Sequence, residues 1–358
     1  MIRSHPIVYM CTIINRLSTS SVIFANLGVN MKILVRLPNW LGDTVMAVGF
    51  IQALKQLYPN ALISVITKKG LQELMNYIPG VQNIFVFNKE ENKGLAGLWR
   101  FGKNIKKANK FDLFFCLPDS FSSAFMGWAT GTKKRVGFKN DLRNLLLTHA
   151  YKKPKGLHRV EEYISLLEVY NGAKTSKQKV LLTHPFPKEN FIVVNINSEA
   201  SSRRLTIAKA SEMITHLQKN THQKIIMIGA PKEKEFVDSV VSSLPDKTNI
   251  ENLAGKTSLP QLIKTLASAE VMLSTDSGPA HLANALGTFT VVLFGAGNEN
   301  NTAPYNIENR HILRLGQLSC EPCEKNICVR YATPQCLERL DVNKIVLATN
   351  NPQQYDRQ

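Results

Sequence analysis

From residue 31 onward, short apolar runs alternate with stretches whose apolar positions recur every three or four residues. "KILVR" is followed by "TVMAVGFIQALKQLY", then by "LISVIT", "LQELMNYI", "IFVF" and "DLFFCL". Short continuous apolar runs read as strands buried on both faces and the longer periodic stretches as helices, so the alternation predicts βαβ units and a mostly parallel sheet. A second series begins at "FIVVNIN" (191–197) and continues through "IAKASEMITHLQ", "KIIMIG", "KEKEFVDSVVSSL", "LPQLIKTLASA", "VMLS", "AHLANAL" and "TVVLFG". Between the two series lies "LLTHPFPKEN" (181–190), with two prolines and no periodicity, which reads as a connecting segment. The expected fold is therefore α/β, with two Rossmann-like doubly wound domains, 31–185 and 186–358, facing one another across a cleft. Ligands of such sheets sit at the carboxyl ends of the strands, where both domains would contribute loops.

The 358 residues suffice for two domains of ordinary size. No apolar run reaches the roughly 18 residues that span a bilayer. Residues 1–30 carry a short apolar patch without a small-residue cleavage site, whereas "MKILVRLPNW" from Met31 resembles a natural start; the first thirty residues read as an upstream extension. Lys and Arg number 44 against 27 Asp and Glu, a formal charge of +17, which favours an anionic partner: nucleic acid, a phospholipid surface or a phosphorylated substrate.

Candidate chemistry collects where strands run into helices. "STDSGPAHLANALG" (274–287) is a strand-to-helix turn: Asp276 or Ser277 suits the N-cap, Gly278 allows close backbone approach, Pro279 suits the first helical turn, and Gly287 closes the helix. Open N–H groups and the helix dipole make this bend suitable for a phosphate; a well-capped helix is the plainer alternative. In the first domain, "LPNWLGDTVMAVG" (37–49) puts Asp43 at the mouth of a helix, as an N-cap or as a general base, with Gly42 leaving room for a ligand. A helix N-terminus lowers a carboxylate pKa, which would keep Asp43 ionised but weakly basic. "NINSEASSRRLT" (195–206) offers the Ser201 and Ser202 hydroxyls and the Arg203 and Arg204 guanidiniums, which suit a diphosphate or form a solvated basic loop. In "IGAPKEKE" (228–235), Glu233 is either a ligand for ribose hydroxyls or an ordinary first-turn acid.

From Met31 to about residue 347 the chain resembles the bacterial ADP-heptose:lipopolysaccharide heptosyltransferases, glycosyltransferase family 9. The resemblance is carried by "RLPNWLGDTVM" and "TDSGPAHLANALG", backed by "CEPCEKNIC". The Pro-Asn-Trp form of the first motif is similar to the branch that adds the second heptose. The resemblance implies a GT-B fold and inverting transfer of L-glycero-D-manno-heptose from ADP-heptose to heptosyl-Kdo2-lipid A, with no cofactor required. It makes Asp43 the catalytic base, puts Asp276 at the donor sugar beside Thr275, and places the backbone around Ser277 and Gly278, with His281, at the diphosphate. Arg203 stands where the family usually has lysine, and Leu205 and Thr206 replace a Trp-Pro pair. The location implied is cytoplasmic, peripheral at the inner face of the inner membrane, with an anionic lipid A-core acceptor.

Six cysteines occur, and Cys320, Cys323, Cys328 and Cys336 form a CxxC with wider following gaps, compatible with zinc or with free thiols packed in a loop. The basic segments "KNIKKANK" (103–110), "KKRVGFKNDLR" (133–143) and "YKKPKGLHR" (151–159) lack the aromatic interleaving of single-strand nucleic-acid platforms and read as solvated faces or as contacts for an anionic acceptor; no nucleic-acid partner is expected. Two rivals remain at this level: a transferase or epimerase of the same fold using another nucleotide sugar, and a non-catalytic basic nucleic-acid-binding protein.

Overall fold

A computed structural model describes residues 31–352; residues 1–30, read above as an upstream extension, and Cys11 within them lie outside the described residues. The first half runs β1 (Lys32–Arg36), α1 (Leu41–Met46), α2 (Val48–Leu57), β2 (Leu62–Lys68), β3 (Val81–Phe87), α3 (Gly94–Ala108), β4 (Leu113–Cys116), α4 (Phe121–Ala129), β5 (Lys134–Phe138), β6 (His149–Tyr151) and α5 (Arg159–Asn171). The second half runs β7 (Glu189–Asn195), α6 (Ile207–Lys219), β8 (Lys224–Met227), α7 (Lys234–Ser243), β9 (Ile250–Asn252), α8 (Leu259–Ser268), β10 (Ala269–Thr275), α9 (Gly278–Ala285), β11 (Phe289–Phe294), α10 (Glu299–Thr302), β12 (Arg310–Arg314), α11 (Gln335–Glu338) and α12 (Val342–Asn350).

The strands form two six-stranded sheets, β3-β2-β1-β4-β5-β6 and β12-β11-β10-β7-β8-β9. All neighbours pair parallel. Strand order reverses between β1 and β4 and again between β7 and β10, so each sheet has a switch point where the loops leaving adjacent strands diverge and open a crevice. The central strands are the fully apolar ones: Ile33, Leu34 and Val35 of β1 and Ile192, Val193 and Val194 of β7 are completely buried, as sheets covered on both faces require.

Helices α3 and α4 cover one face of the first sheet over Phe114, Leu34 and Ile66. The other face, under α1, α2 and α5, belongs to an apolar cluster that continues into α8 and α9 of the second half through Leu266, Leu282 and Leu286. The two sheets are thus joined by a shared core as well as by the chain. The connecting stretch is pinned to both: the Thr183 amide donates to the Tyr77 carbonyl and the Leu182 amide to the Ala285 carbonyl, each at 2.9 Å. β7 begins at Glu189, inside the stretch read as connection.

Two elements differ from the periodic reading. "LQELMNYI" forms a 3-10 turn, Gln72–Tyr77, rather than an α-helix. The helix expected over 44–58 is divided at Ala47; the Thr44 hydroxyl donates back to the Trp40 carbonyl at 2.8 Å, a bond that competes with the helical ladder and bends it. Segment 133–143, read as a basic face, contains β5, and His158 of segment 151–159 caps α5 by accepting from the Val160 amide.

Candidate active site

A cavity of about 1010 Å³ lies between the carboxyl ends of the two sheets and is lined from both halves. From the first half comes the loop after β1. Arg36 is buried at the strand end and donates to the Ile66 carbonyl at 3.2 Å and the Asn39 side chain at 2.5 Å, which fixes the turn that launches α1. Burial lowers its pKa to about 10, leaving it cationic at neutral pH. Trp40 takes the N-cap position of α1 without a side-chain bond, so Asp43 lies within the first turn and is not the cap. Its carboxylate faces the cavity. Burial raises its pKa, opposed by Arg159 and Lys153 and aided by Glu162. Desolvation therefore outweighs the helix N-terminus invoked from sequence, and Asp43 is a stronger base than an ordinary aspartate.

Arg159 and Lys153 belong to a charged group that the sequence reading left as a solvated face or as contacts for an anionic acceptor. Lys153 bridges Asp119 at 2.7 Å and Glu162 at 3.0 Å, Arg159 pairs with Glu162 at 2.7 Å, and the fully buried Arg143 donates to the Pro118 carbonyl at 2.8 Å. The run "YKKPKGLHR" held the signal, but only the return of α5 onto the α1 face of the sheet brings it beside Asp43.

From the second half, β10 delivers Asp276. Arg203 Nη1 lies 3.1 Å from Asp276 Oδ2. Burial pushes the Asp276 carboxyl up to about 6, against the pull of Arg203 and Arg314. His281 is buried and its pKa falls to about 3 through desolvation, so its imidazole is neutral at pH 7. Asp276 Oδ2 is thus held by the Arg203 charge, while Arg203 Nε and His281 Nδ1 are buried without a hydrogen-bond partner among the described residues. Buried polar atoms without partners are costly and uncommon, and the side chains that carry these two line the cavity.

At the start of α9, Ser277 occupies the N-cap position with no side-chain capping bond; its hydroxyl accepts from Asn195 Nδ2 at 2.9 Å instead. The bend therefore lacks the side-chain cap that the structural alternative calls for, and Ser277, Gly278 and Pro279 at the start of α9 line the cavity. Gly287 closes the helix region with φ +76° as expected. Gly42 and Gly278 both line the cavity and also meet one another. A Cβ on Gly278 would come within 3.3 Å of the Gly42 amide nitrogen, and a Cβ on Gly42 would come within 3.0 Å of the His281 ring. The two glycines thus make room for each other, holding α1 against α9 at the cavity wall.

Two further assignments are revised. Thr275 is completely buried, its hydroxyl donating to the Asn197 carbonyl at 2.6 Å, so its side chain does not reach the cavity. Ser202 is also buried; its hydroxyl donates to the Lys325 carbonyl at 2.5 Å and its amide to the Asn326 carbonyl, tying the loop to the cysteine segment. Ser201 and Glu233 do line the cavity, Glu233 with one carboxylate oxygen accepting from the Ala230 amide at 2.8 Å. Cys320, Cys323, Cys328 and Cys336 border a separate small cavity of about 20 Å³. Among the described residues no three His, Cys, Asp or Glu side chains are grouped to hold a metal; Cys336 sits on α11, buried against Gly295, and faces this small cavity together with the three cysteines of the irregular loop.

Sequence reasoning missed Asn195, Asn197 and Ser198, which follow β7 and brace the bend; the Ser198 hydroxyl donates to the Asp276 carbonyl at 3.1 Å. It also missed Gly297, whose α-carbon packs so closely on the Asp276 carboxylate that no side chain fits.

Comparison with known proteins places this architecture. The chain is 25% identical over 328 residues to lipooligosaccharide heptosyltransferase 2 of Campylobacter jejuni, covering 88% of this chain and 97% of that protein. It is 26% identical over 309 residues to lipopolysaccharide heptosyltransferase 2 of Escherichia coli K12, covering 80% and 88%. The solved structure of E. coli ADP-heptose lps heptosyltransferase II superposes with a TM-score of 0.73 at 22% identity, covering 89% of this chain and all of that one; the fold is that of the GT-B heptosyltransferases. The model of glycosyltransferase family 9 (heptosyltransferase) matches residues 98–332, and with two parallel sheets closing on one cavity lined by carboxylates and a strand-to-helix bend, the chain belongs to glycosyltransferase family 9, the heptosyltransferases.

Proposed function

We propose that this enzyme transfers L-glycero-D-manno-heptose from ADP-heptose onto the heptosyl residue of the lipopolysaccharide inner core, adding the second heptose, at the cytoplasmic face of the inner membrane. The observation that carries the reading is the juxtaposition, in one cavity, of the Asp43 carboxylate with its raised pKa and the polar wall of Arg203, Asp276 and His281. The 31–185 side receives the acceptor and the 186–358 side the nucleotide sugar. The choice of the second-heptose acceptor is supported by the likeness to proteins called heptosyltransferase 2.

On this reading Asp43 takes the proton of the attacking acceptor hydroxyl as that oxygen bonds to the anomeric carbon, and the bond from that carbon to the donor phosphate breaks on the opposite face, inverting the centre. Charge grows on the departing ADP. Arg203, at the position where the family usually has lysine, and the N–H dipoles of α9 neutralise it, with neutral His281 as a hydrogen-bond partner; no cofactor enters the chemistry. Asp276 orients sugar hydroxyls. Glu233 and Ser201 stand where the nucleotide would lie. The cluster of Lys153 and Arg159 beside Asp43 suits the anionic acceptor.

The test is incubation with a delipidated heptosyl acceptor and a panel of nucleotide sugars, read by mass spectrometry. Gain of one heptose with ADP-heptose supports the proposal, and turnover with a UDP-sugar alone overturns it.

A further inference from the structure

Helices α3 and α4 each have two apolar faces, and the core uses one. Leu98, Gly102 and Ile105 of α3 and Ala124 and Met126 of α4 point inward and are buried. On the outside, Leu95, Trp99 and Lys103 follow at i, i+4 spacing along α3, and Phe121, Phe125 and Trp128 follow at i, i+4 and i+7 along α4. Gly102 lets the helices close on Ala129, so these rows merge: Trp99 and Trp128 lie 4.9 Å apart, Phe125 and Trp128 5.4 Å, and Phe121 and Phe125 6.1 Å between ring centroids. Trp99, Phe121 and Trp128 remain 38–43% exposed, and Leu142 and Leu145 on the adjoining turn are 71% and 83% exposed. Contiguous exposed apolar surface of this kind needs an occupant.

The charge around it selects one. Residues 94–110 and 121–140 contain nine lysines and arginines and no acidic residue, and the Lys103 ammonium sits 4.4 Å over the Trp99 ring. Indoles and long cationic side chains on one face suit the boundary between lipid headgroups and acyl chains, where the rings bury their apolar part and the lysines meet anionic headgroups. A single-stranded nucleic acid fits less well: the rings pack on one another, leaving no separate faces for bases to stack on. The patch also leads to the site. α4 starts next to Asp119, whose carboxylate is held by Lys153 of the group beside Asp43.

We infer that the aromatic face of α3 and α4, with its collar of lysines, docks the enzyme on an anionic phospholipid bilayer. The inference deepens the reading of a lipid-linked acceptor, yet its physical basis is independent of which sugar is transferred. The experiment uses the full chain, with vesicles of phosphatidylglycerol and phosphatidylethanolamine against vesicles of phosphatidylcholine alone. Co-sedimentation is expected with the first and not the second, falling with added salt, together with quenching of tryptophan fluorescence by bromolipids. Trp99→Ser with Trp128→Ser should abolish both. Lys107→Glu with Lys110→Glu, a change at exposed lysines of the collar, should weaken vesicle binding at least about tenfold. Both variants should keep turnover with the delipidated acceptor. Equal binding to the two vesicle types, undiminished binding by the lysine variant, or a patch that mediates dimerisation or RNA binding instead of vesicle binding overturns the inference. Vesicle binding without heptose transfer would instead refute the proposed reaction and leave the docking surface standing.

Discussion

Asp43 is a carboxylate that burial has made more basic without giving it a hydrogen-bonding partner among the described residues. Asp43→Asn keeps the shape and removes the proton acceptor, so turnover should fall at least about a hundredfold with the melting temperature nearly unchanged; near-normal turnover would return Asp43 to a structural role. The raised pKa also sets a direction: kcat should rise with pH through a value above the ordinary aspartate range, and this limb should vanish in the variant. Asp276 makes a stability prediction. Its folded pKa of about 6 lies above the ordinary 3.8, so the fold favours the protonated form; that contribution is complete below about pH 3.8 and is lost as pH rises through about 6. Asp276→Asn, neutral at every pH, should therefore stabilise the ligand-free enzyme at pH 8, by up to about 3 kcal/mol, and not at pH 3.5, while weakening donor binding. Thermal scans at the two pH values check it, and equal shifts would contradict the assignment. Arg203→Ala should lower ADP affinity in calorimetry about tenfold or more, and Arg203→Lys should retain most of it, since the charge that meets the diphosphate is restored.

At the scale of elements, the decisive contact is between α1 and α9 through Gly42 and Gly278. Neither glycine has a positive φ, so the backbone tolerates a side chain and any effect comes from spacing alone. Gly42→Ala places a methyl 3.0 Å from the His281 ring, which must push the helices apart. The expected cost is about 1–3 kcal/mol of stability. Displacing the base from the donor by a fraction of an ångström should lower kcat by roughly a hundredfold, while ADP affinity, which depends on the second half alone, changes little. Equal losses in kcat and ADP binding would show that the contact serves folding only. Gly278→Val should be more severe through the same contact, since its side chain would meet Leu41 and Gly42.

Across the whole molecule, the two halves are held in register by the shared core and by buried polar bonds from the connecting stretch. Asn306 is the main polar tie: its side chain accepts from the Val180 amide at 2.9 Å and donates to the Val180 carbonyl at 2.8 Å, and its amide donates to Asn284 at 2.9 Å. Asn306→Leu leaves the buried Val180 groups unpaired and should cost about 2–4 kcal/mol in denaturant unfolding; an unchanged midpoint would remove this tie from the architecture. The sequence by itself determined the α/β class, the two sheets, the bends after β1, β7 and β10, and the family, because apolar periodicity and turn residues are local properties and the two motifs are contiguous. Tertiary structure alone decided the rest. Which basic segment stands beside Asp43 depends on how α5 returns to the first sheet; that Gly278 packs on α1 depends on a helix distant in the chain; and Thr275 and Ser202, plausible ligands by position, are turned into the protein by hydrogen bonds to Asn197 and Lys325. The pKa of Asp43 reverses the expectation drawn from its helix for the same reason: desolvation is set by everything packed around a group, and no local pattern encodes it.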